Sequence, residues 1–557
     1  MKDESNSLIL AMVLSFIAIY TVNFFFKDKE PQAELNPKVE QVVSAPSETA
    51  IKQAVNTPTY STTEEVVSAD NRINFKNSSI SGSIRLKGSR FDNLLLEKYT
   101  TSIEENSPKV ELFAPQNTKN NYFAELGWLS LDRGLELPLS TDMWSTESDV
   151  LTPNSPAILT WDNGNGVKIT RKISLDENYL FTITDKIENN TGNELEIFPY
   201  ALISRNISEK QLSRSVVHEG VSGIVDGNLK EIKYNKIDER GRDSFDTKSG
   251  WFGFSDRYWF SAIILDGKEN SKVTVKNNGN DNYQLDYLGS RYNVASGKSI
   301  EHSYKLYSGA KEIKLLDKYT KEGIKKFDLA VDFGWYYFLT KPFFYILDLL
   351  YGVLGNMGWA ILLFAALLRL LMFPVANKSF ANMAKIKALQ PKIADIKNKY
   401  GDNQMLIQQA TMELYKREKV NPASGCLPMF IQIPVFFSLY KVLNIAIEIR
   451  QAPFIGWIKD LSAPDPMTIS AMTGLSFIPQ FLDIGVWPML MGATMFIQQK
   501  LNPAPTNKDQ AKMFAIMPIF FTFMMGHFAS GLIIYWTLSN ILSIIQQKAI
   551  MKKNGVK

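Results

Sequence analysis

Two patterns of apolar residues divide the chain. From about Arg72 to Gly309 hydrophobic positions recur every second residue, in Ser79–Leu86, Lys109–Phe113, Gly166–Ile173, Tyr179–Ile187, Trp259–Ile264, Asn282–Leu288 and Glu301–Tyr307. That period sends alternate side chains to opposite faces of a strand. Turns rich in Asn, Asp and Gly separate the segments, among them Asp162–Gly166, Asn189–Asn193 and Asn277–Asp281. No helical period intervenes, so this stretch predicts a large all-β antiparallel sandwich. Trp251 and Trp259 are read as its core rather than as a ligand cage. Beyond Ala310 the period changes. Ile313, Leu316, Tyr319, Ile324, Phe327 and Val331 fall on roughly one helical face, and Trp335 to Phe338 crowd the approach to Pro342. Aromatics and a lysine ahead of an apolar run suit a membrane interface. Phe343–Val353, with Asp348 in it, is too short to cross a bilayer and predicts a helix along its outer surface.

Long apolar runs follow. Gly355–Val375 is of membrane length and holds a single ionisable group, Arg369. A guanidinium keeps its charge near neutral pH, and burying it in lipid is costly unless it snorkels, pairs or faces water. Two readings stay open. Arg369 marks a functional site inside a helical bundle, or it anchors the helix end, six residues before Val375 and so about 9 Å along the axis. Four more apolar runs come after it: Leu427–Ile447, Val486–Phe496 continuing into Lys500, Met513–Phe528 and Ile533–Ile545. Leu8–Phe26 adds 19 nearly uninterrupted apolar or small residues, about 28 Å as a helix. It lacks a basic flank before it and a small-residue cleavage site after it, so it predicts an uncleaved anchor. Six transmembrane helices result.

Charge sets the orientation. Residues 377–420 hold nine Lys or Arg against four Asp or Glu, and the end of the chain carries Lys548, Lys552, Lys553 and Lys557. By the positive-inside rule both are cytoplasmic, which leaves the sandwich outside. Met383, Ile386, Leu389, Ile393 and Ile396 mark one helix, and Met405, Ile407, Ala410, Met412 and Leu414 another. Gly401-Asp402-Asn403 turns between them, so a cytoplasmic helical hairpin is expected.

The predicted layout is an anchor at 1–26, a Pro- and Ser-rich linker at 27–70, the sandwich at 71–310 and amphipathic interfacial helices at 311–354. The five-helix core then runs as a first helix at 355–375, the hairpin at 376–421, a second helix at 422–447 and an outside loop at 448–485. A third helix at 486–501, a cytoplasmic loop at 502–511, helices at 512–528 and 529–547 and a basic tail at 548–557 complete it. Apolar patches at Ala452–Ile458 and Leu475–Leu482 predict interfacial helices or a re-entrant piece within the outside loop.

Composition narrows the function. A net charge of +4 is too small to suggest nucleic acid, and a lone Cys426 excludes an internal disulfide or a thiolate cluster. His218, His302 and His527 lie far apart, without ligand spacing. Walker, HExxH and GxSxG motifs are missing from the sequence. The chain is therefore read as a non-enzyme needing no cofactor and no metal. Too few spans for an inverted repeat, and no acidic residue within a span, argue against a coupled transporter. Arg369 together with amides and hydroxyls at Gln432, Thr494, Gln498 and Asn540 suggests a hydrated cavity or groove that handles a polypeptide. A channel or transporter, and a chaperone of already inserted helices, are the alternatives.

Leu389–Ile393, Tyr415–Pro422, Gly425–Pro428 with Gln432-Ile433-Pro434, Arg450–Phe454 and Ser539-Asn540 with Gln546-Gln547 resemble the YidC membrane protein insertases. The resemblance runs along essentially the whole chain and includes the anchor and large periplasmic domain of the Gram-negative form. It implies a bacterial inner-membrane protein, both termini cytoplasmic, that inserts and helps fold membrane proteins alone or beside the Sec translocon. Its super-sandwich would precede a groove open to cytoplasm and lipid. Arg369 matches the groove arginine. Tyr535 and Trp536 match the substrate-contacting region of the last span, with Trp536 where members often carry tyrosine. The resemblance also implies that the hairpin, with Lys385, Lys387, Lys392, Lys416, Arg417 and Lys419, receives clients. Partners implied are nascent membrane proteins, small single- or double-span clients, the Sec translocon and its associated subunits, the ribosome, a targeting receptor and the phospholipid bilayer.

Overall fold

The structure is a computed structural model that describes residues 60–555 apart from 208–216, 266, 268–269, 402, 422–426, 476 and 504–507. The expected anchor and most of the linker lie outside the described residues.

Alternation along the sequence becomes two packed sheets. The eleven-stranded sheet runs Arg242–Thr247, Ser271–Asn277, Asn282–Leu288, Leu195–Asn206, Tyr122–Leu129, Arg90–Thr100, Ile80–Arg85, Arg72–Lys76, Val150–Leu151. Lys109–Phe113 and Tyr292–Val294 pair to its side. The nine-stranded sheet runs Asn228–Lys233, Gly220–Val225, Gly250–Ser255, Trp259–Leu265, Lys298–Ala310, Leu180–Asn189, Val167–Leu175, Ala157–Asp162, Ser145–Thr146. Among the described strand pairs, Arg72–Lys76 with Val150–Leu151 is the one parallel pair. One short helix, Tyr234–Arg240, interrupts the strands where the period suggested none.

The inward face shows how tightly the pattern is used. In Val167–Leu175 the inward positions are Val167, Ile169, Arg171, Ile173 and Leu175, all buried. A charge on that face needs a partner, and Asp185 is its register neighbour on Leu180–Asn189. Arg171 donates to both Asp185 oxygens, at 2.8 and 2.7 Å, and both side chains are fully buried. Trp128, on the other sheet, donates its indole N–H to Asp185 Oδ2 at 2.9 Å. The ion pair thus ties one sheet to the other. Trp251 is fully buried against Phe260 and Phe327, as a core residue.

Helices fill the second part, labelled in order from α1, Ile313–Lys321. They continue as α2 Tyr337–Leu354, α3 Met357–Leu371, α4 Phe373–Ala388, α5 Gln390–Tyr400 and α6 Gln404–Arg417. The remainder are α7 Leu427–Ile445, α8 Val486–Leu501, α9 Lys508–Met525 and α10 Ser530–Lys553. Several depart from the pattern-based expectation. α2 begins six residues before Phe343, because Tyr336 already accepts the first helical bonds, and the helix continues through Pro342 at the cost of one intrahelical donor. With 18 residues it is the one described helix long and apolar enough on its own to cross a membrane, so the surface helix inferred from Phe343–Val353 was drawn too short. The run expected as one helix from Gly355 to Val375 breaks after Leu371. α3 and α4 are bent by 66°, with Pro374 in the first turn of α4. The first arm of the hairpin breaks again at Leu389, ahead of Pro391. α10 continues to Lys553, through most of the stretch expected as a tail. Phe430–Ile445 and Ala511–Met525 are shorter apolar helices.

Sandwich and helices meet in a polar junction. Asp332 accepts from the Lys441 ammonium at 2.6 Å and from the His218 amide at 2.9 Å. Arg257 donates to the carbonyl and side-chain oxygens of Asn444 at 2.7 and 3.0 Å. Arg450 donates to the Thr100 carbonyl at 2.6 Å and stacks on Trp259. Glu448 accepts from the Ile313 amide at 3.1 Å.

Burial, reinforced by the negative charges of Glu312 and Asp348 and opposed by that amide, pushes the Glu448 carboxyl from 4.5 to about 7. In the unfolded chain it ionises lower, so the folded state holds an extra proton between the two values. Its contribution is therefore greatest below pH 4.5 and is lost as pH rises through about 7. Glu448→Gln keeps an oxygen for Ile313 and carries no charge. It is expected to flatten the fall in Tm of the full chain between about pH 5 and about pH 8; an unaltered slope would sink this account.

Candidate functional site

Local chemistry brings Arg369 into the helical interior. Gly355, at φ +65°, ends α2 in the left-handed conformation, and Asn356 caps α3 by accepting from the Trp359 amide at 3.1 Å. α3 then packs closely on the segment after α7. A Cβ at Gly358 would lie 1.9 Å from the Phe454 ring, so only glycine allows this approach. Phe343 of α2 meets Phe364 of α3 edge to face, with centroids 5.0 Å apart. Five residues after Phe364, Arg369 projects from the last turn of α3, beside the bend into α4.

Arg369 is half-buried, and neither its Nε nor its Nη2 has a hydrogen-bond partner among the described residues. Its guanidinium lies 5.7 Å from the Phe380 ring on α4. Tyr535 of α10 is within electrostatic range of it. Tyr535 is 2 % exposed, and its hydroxyl accepts from Gln432 Nε2 of α7 at 2.9 Å. Three of the residues singled out from the sequence thus gather between α3, α7 and α10. Trp536, one position on, points elsewhere, against Phe436 of α7 at 4.8 Å and Phe521 of α9 at 6.2 Å.

Thr494 and Asn540 form a separate pair. Asn540 Nδ2 donates to Thr494 Oγ1 at 3.1 Å, joining α10 to α8, while Thr494 donates to its own helix at Met491. Gln498 lies one turn further along α8, half-buried. Gln546 and Gln547, which in the sequence carry only the family resemblance, continue this line. Gln546 donates to Asn377 Oδ1 at 2.8 Å, and Gln547 to Asn502 Oδ1 at 3.1 Å. The side-chain carbonyls of Gln499, Gln546 and Gln547 are buried without a partner among the described residues. Their signal was present in the spacing: Asn540, Ser543 and Gln547 recur every three or four residues along α10. A polar lining with unfilled bonding capacity suits water or a passing peptide better than a dry bundle.

The hairpin has its own small core of Ile386, Leu389, Ile393, Leu414 and Val420. Lys392 pairs with Glu418 at 2.8 Å across its two arms. Lys385, Lys416, Arg417 and Lys419 are exposed, and Lys387 is partly covered. Met405 and Met412, among the apolar residues that mark this arm, are 66 % and 47 % exposed. The buried line of α6 is Ile407, Thr411 and Leu414, and the two methionines fall to one side of it.

Two family models match the chain: YidC periplasmic domain over residues 72–346, and 60Kd inner membrane protein over residues 349–556. The membrane protein insertase YidC of Beijerinckia indica is 42 % identical, over all of this chain and 97 % of the relative. That of Rickettsia rickettsii is 43 % identical over the full length of both. Among solved structures, an active YidC insertase with its first transmembrane domain resolved is 18 % identical and covers 84 % of this chain and 90 % of its own, with a TM-score of 0.36. Full-length identity above two-fifths places the matter beyond coincidence: the chain belongs to the YidC family.

Proposed function

We propose that the chain is a membrane protein insertase and folding chaperone that receives hydrophobic clients in the polar groove around Arg369 and releases them sideways into the inner membrane. The observation that carries this reading is a permanent cation held inside apolar helices, with no partner on Nε or Nη2 among the described residues. Such a charge is stabilised by water and attracts acidic residues of a client's polar segment. The client's apolar helix then partitions into lipid, and that burial drives the reaction. Curated relatives that bear the insertase name along their whole length support the same activity.

The finer architecture belongs to the same proposal. Five core spans would be built from α3 with the start of α4 (355–375), α7, α8, α9 and α10, with the anchor as a sixth. The sandwich would then face the periplasm, with both termini and the basic hairpin in the cytoplasm. The exposed lysines and the exposed Met405 and Met412 make the hairpin suited to first contact with a client. The Sec translocon, a ribosome and a targeting receptor are its proposed partners.

The test is insertion of a short single-span client into liposomes holding only the purified chain, scored by protease protection of the translocated tail. Protection without solute leakage is the expected result. Leakage would favour a channel, and absence of protection by folded protein would remove autonomous insertion.

A further inference from the structure

Between Asp465 and Asp483 the sequence PMTISAMTGLSFIPQFL carries no ionisable side chain. The two aspartates close its base. Asp465, 3 % exposed, accepts from the Trp457 indole at 2.8 Å and from the amides of Met467 at 3.0 Å and Trp487 at 2.8 Å. Asp483 accepts from the Ser470 amide and hydroxyl at 2.8 and 2.6 Å and from the Thr468 hydroxyl at 3.0 Å. Thr468 and Gly485 form an isolated antiparallel bridge across the base, and His527, just past α9, bonds the Gln480 carbonyl at 3.0 Å. A built lobe results, fastened where α8 begins and α9 ends. Its outer surface is apolar: Met472, Leu475, Phe477 and Phe481 are 47, 42, 78 and 66 % exposed.

The helices below the lobe are short. α8 and α9 have 16 and 18 residues, about 24 and 27 Å, against a hydrocarbon core of about 30 Å. Lys500 and Lys512 sit toward their other ends, so the lobe occupies the end without basic residues. Its exposed side chains continue the apolar exterior formed by Leu490 on α8 and by Ile516, Ile519 and Phe520 on α9. A docking face for a soluble partner would carry a polar rim among its contacts. Here the only charged groups are the two aspartates at the base, already saturated by hydrogen bonds.

We propose that this lobe inserts into the outer leaflet of the bilayer and completes the hydrophobic thickness that α8 and α9 alone do not reach. The inference rests on the reading that these two helices lie in the membrane. Lipid contact at Phe477 and Phe481 offsets the mismatch of a short helical pair. Asp465 and Asp483 mark the level at which the lobe returns to water.

The experiment uses the full chain in vesicles of phosphatidylcholine and phosphatidylglycerol. Phe477→Cys and Phe481→Cys, each with Cys426→Ser, would carry a nitroxide label. Ile519→Cys on α9 serves as the lipid reference and Asn163→Cys in a sandwich turn as the water reference. Either loop position reads the same quantity if the other variant fails to fold. The expected result is loss of collision with a water-soluble nickel chelate and retained collision with oxygen, as at Ile519. Nickel access at the loop equal to that at Asn163, with Ile519 protected, overturns the lobe's insertion and leaves the span standing. Protection from both probes means cover by protein and overturns it as well. Nickel access at Ile519 removes the span and the inference together.

Discussion

Arg369→Ala is expected to lower insertion of clients whose translocated segment carries carboxylates by roughly an order of magnitude, while clients with neutral segments stay close to the parent. A carboxylate about 7 Å from the guanidinium gains ~2 kcal/mol at an effective dielectric of ~20, and each ~1.4 kcal/mol is a factor of ten. The fold should tolerate the change. Arg369 Nε and Nη2 have no hydrogen-bond partner among the described residues, and its contact with Phe380 is a 5.7 Å cation–π approach worth about 0.5–1 kcal/mol. Arg369→Lys, which keeps the charge, should restore most of the activity on acidic clients. The measurement is protease protection for a matched pair of clients that differ only in tail charge. Equal losses on both members of the pair would refute electrostatic recruitment and leave Arg369 as a packing residue.

The second large effect lies far from the groove. Asp185→Ala leaves the Arg171 guanidinium buried without its counter-ion and strips the Trp128 indole of its acceptor. Breaking a buried pair from one side costs about 3–5 kcal/mol. In a sheet domain of this size that corresponds to a fall in Tm of about 10 °C. The double replacement Arg171→Met with Asp185→Leu removes both charges and should recover most of the loss, because apolar side chains of similar bulk fill the same inward positions. Thermal unfolding of the full chain, followed by near-ultraviolet circular dichroism, separates the three proteins. A single variant within 1 °C or so of the parent would contradict the account, given about 2–4 °C per kcal/mol.

Arg171 also shows where the sequence speaks and where it stops. The alternation of Val167, Ile169, Ile173 and Leu175 announces a strand and its inward face, because side-chain direction follows from local geometry alone. That Arg171 belongs on that same face, opposite Asp185, depends on register with the next strand. The helical half divides in the same way. Arg369 stands out because a charge within an apolar run is rare. Its neighbours do not, since Gln432 and Tyr535 are 103 residues apart and only packing brings them together. The break after Leu371 escaped a reading by hydropathy, since Met372 and Phe373 continue the apolar run while Pro374 opens a new helix. Met405 and Met412 help mark α6 as a helix by their apolarity, but which line packs is set by Ile407 and Leu414. Length and apolarity alone mark α2 as able to cross and do not mark α8, whose own apolar stretch is short.

The junction at Asp332 also imposes an order in time. Asp332 and its ammonium partner are 109 residues apart, so at about 5–20 residues per second the ribosome supplies Lys441 roughly 5–20 s after the aspartate. Arg257 waits longer for Asn444, 187 residues downstream. Through that interval the sandwich already has all its strands, and Asp332 can hold the His218 amide while its ammonium partner is still to come. The clasp between sandwich and α7 therefore closes late in synthesis, after α7 has been made, whereas the link through Lys341 of α2 to Asp317 and Asp328 is available about a hundred residues earlier.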